Sequence, residues 1–334
     1  MKRAASKMLL SGIVVAMLGG GLVALTHRTA AQQPGHFAAA PLGPEVVLHA
    51  TWGSMGATVG RFDGDEAASE GPMSFAVYPD GELLVLDQVN FRVVRFDDTG
   101  ALLGETPIPA NTFQDLEIAD GGRIVLLDRL ARRSLLVMTD AGTAIREIGI
   151  EGDGIPEGGG VTAMLAQDDG IWLEFDHTSR VRLLDQQLLP SVRREVRGRP
   201  FSSTSNLLGE LDGQGDARLW LEDTATGNVL ERAQVGAGHR IDRIIWLATD
   251  AAGNVHGQFH LLEDDPTDPT KIAFEQVLAV RYDATLHEVA RFASPYVIQE
   301  VEQFREFRVM PDGTTYQMVF EHGGMSILRW RWTP

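Results

Sequence analysis

Short apolar runs closed by turn residues recur along most of the chain. The clearest set begins at residues 75–77 and turns at Pro79-Asp80-Gly81. Residues 83–86, LLVL, follow and end at Asp87. Residues 90–96, NFRVVRF, come next, and Asp97-Asp98-Thr99-Gly100 leads into a fourth run over 101–108. Turn residues interrupt nearly every run before ten residues, and Val, Ile, Leu, Phe and Trp dominate the runs, which predicts strands and not helices. Four strands in about 40 residues leave no room for a crossover helix, so neighbours pair as antiparallel hairpins.

The unit returns. A second copy runs through 116–119, Asp120-Gly121-Gly122, 124–127 to Asp128, and 135–138. The third has 164–166, Asp168-Asp169-Gly170, 171–175 to Asp176, and 181–184. The fourth is faint: 207–211, a turn at 212–215, then 218–221 with Glu222-Asp223 after it. The fifth has 244–248, a turn at 250–254 and 255–262; the sixth has 307–310, Pro311-Asp312-Gly313, 315–320 and 326–332. The turn glycines Gly81, Gly121, Gly170, Gly215, Gly253 and Gly313 are spaced by 40, 49, 45, 38 and 60 residues. Four strands at such a period predict an all-β, closed six-bladed β-propeller with four-stranded antiparallel blades. The last unit lacks a strand, and residues 45–52, EVVLHATW, are strand-like, so the N-terminal strand is expected to complete the last blade and cover its edge. An extra strand on an open repeat, or five, seven or eight blades, are the other readings. The long last interval is assigned to a polar insertion, 263–271, whose two prolines suit a loop and not a strand.

Within the first unit, Gly71-Pro72, Ser74-Phe75-Ala76-Val77, Pro79-Asp80-Gly81, Leu84-Val85-Leu86-Asp87 and residues 90–96 resemble one NHL repeat, and Trp52-Gly53 with Gly60 resemble its lead-in. The second unit is a fair match, and the others share only strand rhythm and turns. The resemblance implies a six-bladed scaffold. Such propellers include protein-binding modules, sugar- or lipid-associated surface proteins, nucleic-acid binders and a few enzymes, so it does not choose a reaction.

The N-terminus changes the picture of location. Lys2, Arg3 and Lys7 precede 18 uncharged residues, 8–25, and small residues follow up to Ala31. This is the order of a secretory signal, long enough to serve instead as an uncleaved anchor. The expected division is 1–31 signal peptide or membrane anchor, 32–44 flexible tether, and 45–334 propeller. The expected location is the bacterial periplasm or outside the cell, or membrane-anchored with the propeller outside the cytosol; membrane contact is expected only through an uncleaved N-terminal segment. Residues 1–31 hold no acidic residue, so their removal takes the net charge from −17 to −21. That sign excludes nucleic acid as the main partner. Cysteine is absent, which excludes disulfides, thiolate nucleophiles and cysteine–zinc sites.

Asp87, Asp128 and Asp176 end second strands, and Asp223 and Glu321 stand at comparable places. Repeated carboxylates there are expected to accept backbone hydrogen bonds in the following turns. The functional alternative is an acidic rim for a cation or a basic partner. Asn90 is expected to settle the first of these turns and Arg92 to fork to a carboxylate. Glu263, Asp264, Asp265 and Asp268 make the insertion a candidate recognition loop, with calcium as a second possibility. His177, His260 and His322 are weak metal candidates, because distant units converge on a ring axis; their spacing matches no tight metal motif. The glycines of 152–160 read as an inter-blade connection, since no Lys-Ser or Lys-Thr follows them. Trp330 and Trp332 are expected between blades, with Arg329 and Arg331 anchoring the closing strand.

No catalytic motif is found, and the residues name no cofactor, with a divalent cation left open. The expected function is an exported binding or scaffold module recognising a protein or glycan at the cell envelope, as a monomeric propeller. A non-enzymatic role is favoured. The alternative is a metal-dependent hydrolase or lyase of the six-bladed type, for which Asp87, Asp128, Asp176 and His322 are the first places to look.

Overall fold

The computed structural model describes residues 43–64, 69–294 and 301–332. The expected signal or anchor, 1–31, and the tether up to residue 42 lie outside the described residues. Among those described, no helix is long and apolar enough to cross a membrane.

Six four-stranded antiparallel sheets form a closed propeller. Blade one is Ser74–Val77, Leu83–Asp87, Arg92–Phe96 and Leu102–Pro107, from the axis outward. Blade two is Asp115–Ala119, Arg123–Asp128, Ser134–Met138 and Ala144–Gly149; blade three is Val161–Gln167, Gly170–Phe175, Ser179–Leu184 and Glu195–Arg197. Blade four is Arg199–Pro200, Ser205–Leu211, Ala217–Asp223 and Val229–Val235. Blade five is Ile241–Thr249, Val255–Asp265, Asp268–Tyr282 and Glu288–Ser294. Blade six is Phe307–Val309, Thr315–Glu321 and Gly324–Trp330, with Glu45–Thr51 as its outermost strand. The ring therefore closes as the strand count predicted.

The second strands of blades one and two read as nearly continuous apolar runs because both faces are buried. In Arg123–Asp128, Val125 and Leu127 enter the core shared with blade three, while Ile124 and Leu126 enter the one shared with blade one. Outer strands such as Ala144–Gly149 face solvent and lose that character. The turn glycines serve geometry: Gly170 has φ +129, and a Cβ there would lie 2.0 Å from the Leu184 carbonyl oxygen. Closure is reinforced where Arg329 donates to Glu45 at 2.7 Å across the strand pair. Trp330 stacks on Phe292 of blade five at 3.9 Å, so this tryptophan packs between blades.

Two expectations are corrected. The insertion 263–271 is not a loop: it extends the hairpin between Val255–Asp265 and Asp268–Tyr282. Two register shifts absorb the irregular residues, the Asp265 carboxylate accepts from Thr267 N at 2.7 Å and closes the turn, and Pro269 falls near the start of its strand, where a missing N–H costs little. The fourth copy is out of step by one strand. Its innermost strand shrinks to Arg199–Pro200, so the runs read as first and second are second and third.

Candidate functional site

The proposed rim residues are consumed mostly by turns. Asp87 is buried and accepts from Gly60 N at 2.8 Å, Asn90 Nδ2 at 2.8 Å and Arg92 Nε at 2.8 Å. Asp128 accepts from the backbone of Ala131 and Arg132 at 2.9 and 3.0 Å. Asp223 accepts from the backbone of Ala225 and Thr226, but it closes a third strand and so does not continue the row. Glu321 accepts from Ser326 at 3.1 Å. Asp176 is exposed in a left-handed turn with φ +49. In the hairpin, Glu263 faces His239 at 3.0 Å, Asp264 faces Arg240 at 3.9 Å, and Asp268 faces Lys271 at 3.0 Å.

The functional geometry lies on the axis, and a segment that carried no expectation builds it. Residues 301–306 connect blades five and six. Val301–Glu302 pairs in parallel with Ser69–Glu70. The backbone N–H groups of Phe304 and Arg305 then donate to the Met73 carbonyl at 2.9 and 3.0 Å, which turns the chain into the ring. Arg305 is fully buried there. Its Nε donates to Asp115 of blade two at 2.8 Å, its Nη2 donates to Asp115 and to the Met164 carbonyl of blade three, and its guanidinium lies 4.6 Å from the Trp246 ring of blade five. Arg199 lies 4.1 Å from the same ring and is paired with Glu174. Arg308 donates to Glu117 at 2.9 Å and to the Leu116 carbonyl at 2.8 Å. This bonded layer is a floor across the ring, and buried guanidinium groups held in it are tolerable only because each has a carboxylate.

Above the floor is a cavity of about 570 Å³. It opens at the end where second strands finish. Its polar wall is Arg129, His177, Arg243, His260, Glu302 and Glu306; Ile244, Val301, Phe304 and Phe320 supply much of its apolar wall. Glu306 follows Arg305 directly, so the floor positions it. Burial pushes its carboxyl up to about 7, against the opposing pull of a 3.0 Å hydrogen bond from Gln317 and the positive Arg243. His260 is buried, with Nε2 at 2.9 Å from Glu275 and Nδ1 at 3.3 Å from Asp242. The two carboxylates fix the ring from both of its nitrogens.

His177 and His260 both line this cavity, but His322 sits exposed in a hairpin turn and does not line it. Nor do Asp87, Asp128 and Asp176, the places first suggested for an enzyme. Among the described residues, no group of three or more His, Asp or Glu is arranged to hold a metal ion. The one available signal for Glu306 and Arg243 was the 60-residue interval, which the hairpin explains only in part.

Fold and cavity together define a six-bladed propeller with a cluster of ionisable side chains on its axis. No protein family matches the chain, and no curated protein does; the propeller stands without an NHL assignment. Among solved structures it is similar to a streptogramin B lyase, with 12% identity over 82% of this chain and 97% of that one and a TM-score of 0.44. A member of the DUF4221 family from Bacteroides vulgatus shares 10% identity over 88% and 96%, with a TM-score of 0.49. A virginiamycin B lyase from Staphylococcus aureus shares 14% over 79% and 95%, with a TM-score of 0.42. At these identities the likeness is one of fold. The expectation that favoured a non-enzymatic module is corrected: lyases stand among the solved structures similar to this chain, and a role without chemistry is no longer favoured. No motif in the sequence announced that Glu306 and His260 line one cavity.

Proposed function

We propose that the chain is an enzyme of the hydrolase or lyase type that acts by proton transfer on a small molecule held in the axial cavity. One observation carries the reading: Glu306, whose carboxyl is pushed up to about 7, opens on the same cavity as His260, which two carboxylates hold in place. A group that titrates near neutral pH can both take and return a proton, which hydrolysis and elimination each require. Arg243 lines the same wall and is placed to stabilise negative charge that develops on a reacting oxygen. The basic, apolar and small residues of 1–31 support work outside the cytosol.

The test is a panel of esters, lactones and elimination substrates with wild type and Glu306→Gln. Turnover by the wild type is expected to drop on the order of 100-fold or more in the variant. Full turnover by the variant overturns the proposal. Chelation and restoration with a divalent ion, on the same panel, decides whether a metal takes part.

A further inference from the structure

The arginines of the axis fall into two groups. In the floor, Arg199, Arg305 and Arg308 are each paired, with Glu174, Asp115 and Glu117 respectively. Above it, Arg243 is exposed to the cavity and has no ion pair or hydrogen bond among the described residues. It stands near the start of the innermost strand of blade five. Its neighbour Asp242 does not neutralise it, since that carboxylate faces His260 and Arg240. Three blades away, Arg129 enters the cavity from the turn after Arg123–Asp128. Its Nη1 donates to the carbonyls of Gly159 and Val161 at 2.9 and 3.1 Å, and its guanidinium lies 5.0 Å from the Phe304 ring. The acidic groups on this wall are Glu302, which faces Arg129, and Glu306.

A chain of net charge −17 thus turns a guanidinium with no ion pair among the described residues into this cavity, where the acid it acts on, Glu306, holds its proton up to about 7. A cationic side chain without a partner, set beside apolar side chains in a concave site, is a recognition element, because an oppositely charged ligand group gains a charge-assisted hydrogen bond there. We propose that Arg243 holds the anionic group of an amphiphilic small molecule, whose apolar body lies against Ile244, Val301, Phe304 and Phe320. This rests on the cavity being the substrate site, and it names the substrate class: a carboxylate, sulfonate or phosphate monoanion on an apolar frame. It also sets the order of events, with the anion anchored at Arg243 and the reacting bond presented to Glu306.

The probe is 8-anilinonaphthalene-1-sulfonate, with uncharged N-phenyl-1-naphthylamine as its partner, titrated by fluorescence into the full chain. Wild type is expected to bind one sulfonate dye more tightly than the neutral dye. Arg243→Gln should weaken the sulfonate about tenfold and leave the neutral dye unchanged, the size expected of one charged hydrogen bond. Arg243→Lys should recover part of the loss. Sulfonate affinity indifferent to Arg243→Gln overturns the proposal, and so does equal loss of both dyes with unchanged melting, which would make Arg243 a prop of the wall. Glu306→Gln separates the two readings. Arg243-dependent binding in a chain whose turnover ignores Glu306 would sink the acid–base proposal and keep this one; turnover that needs Glu306 in a chain whose sulfonate binding ignores Arg243 would do the reverse.

Discussion

The seam between blades two and three and the seam between blades five and six are built on opposite terms. The first is apolar on both sides: Val125, Leu127, Leu135 and Val137 of blade two meet Met164, Ile171, Leu173 and Val181 of blade three, all buried. The second places polar side chains on both facing strands. Val255, Phe259 and Leu261 turn toward blade four, so His256, Gln258 and His260 turn the other way, toward blade six. Thr315 and Gln317 stand on the facing strand of blade six, opposite in sense to Tyr316, Met318 and Phe320, which pack toward blade one. These five polar residues are at most 2% exposed. His256 Nε2 meets Asp250 at 3.0 Å and Gln317 donates to Glu306, but His256 Nδ1, both amide ends of Gln258 and the amide oxygen of Gln317 have no partner among the described residues. A buried polar group left unpaired costs about 1–3 kcal/mol. One seam holds the ring together, and the other gives up stability along the wall that supports Glu306 and His260.

The largest test of this contrast is Leu173→Ala. Leu173 is fully buried in the apolar seam. Loss of its side chain there is expected to cost about 3 kcal/mol, from lost burial and the cavity left behind. Urea titration measures it. A cost below about 1 kcal/mol would mean that this seam relaxes freely and that the two seams do not differ in the way described.

Next in size is Glu306→Gln, read as stability against pH. The folded chain keeps the Glu306 proton up to about 7, whereas the unfolded chain releases it near 4.3. Between those values the folded state binds more protons, so this group's contribution is full below the lower one and is lost as pH rises through the upper one. Wild-type stability should fall by about 2 kcal/mol from pH 4.5 to pH 8, allowing for screening by solvent in the cavity. Glu306→Gln should remove that slope and be the more stable chain at pH 8. A variant that keeps the slope would place the titrating group elsewhere.

The two seams also differ in how readable they were. Turns made of Asp, Gly and Pro lie within a few residues of the strands they join, so the blades, the closing strand and the turn roles of Asp87 and Asp128 could be read locally. The fourth blade blurred because its innermost strand is two residues long. Residues 263–271 looked like a loop because proline and aspartate dominate them, while the hairpin confines both to its tip. The site itself is a product of ring closure. Arg305 reaches Asp115 across 190 residues, and nothing near 305 in the chain announces that partner. Glu306 reaches the cavity wall because its neighbour Arg305 is fixed in the floor.

The smallest effect, and the sharpest for the comparison, is Gln258→Leu. Gln258 is fully buried, and both ends of its amide lack partners among the described residues. Leucine is close to glutamine in volume, so the change removes two buried polar groups without opening a large gap. The variant should be more stable by about 1 kcal/mol, by thermal melting at pH 8. The same exchange in the other direction, Leu173→Gln, should be strongly destabilising, because it would put an unpaired amide into the apolar seam. If Gln258→Leu instead destabilises by more than 1 kcal/mol, the amide is bonded in the folded chain through a network that spans the seam, and the polar seam contributes to holding the ring.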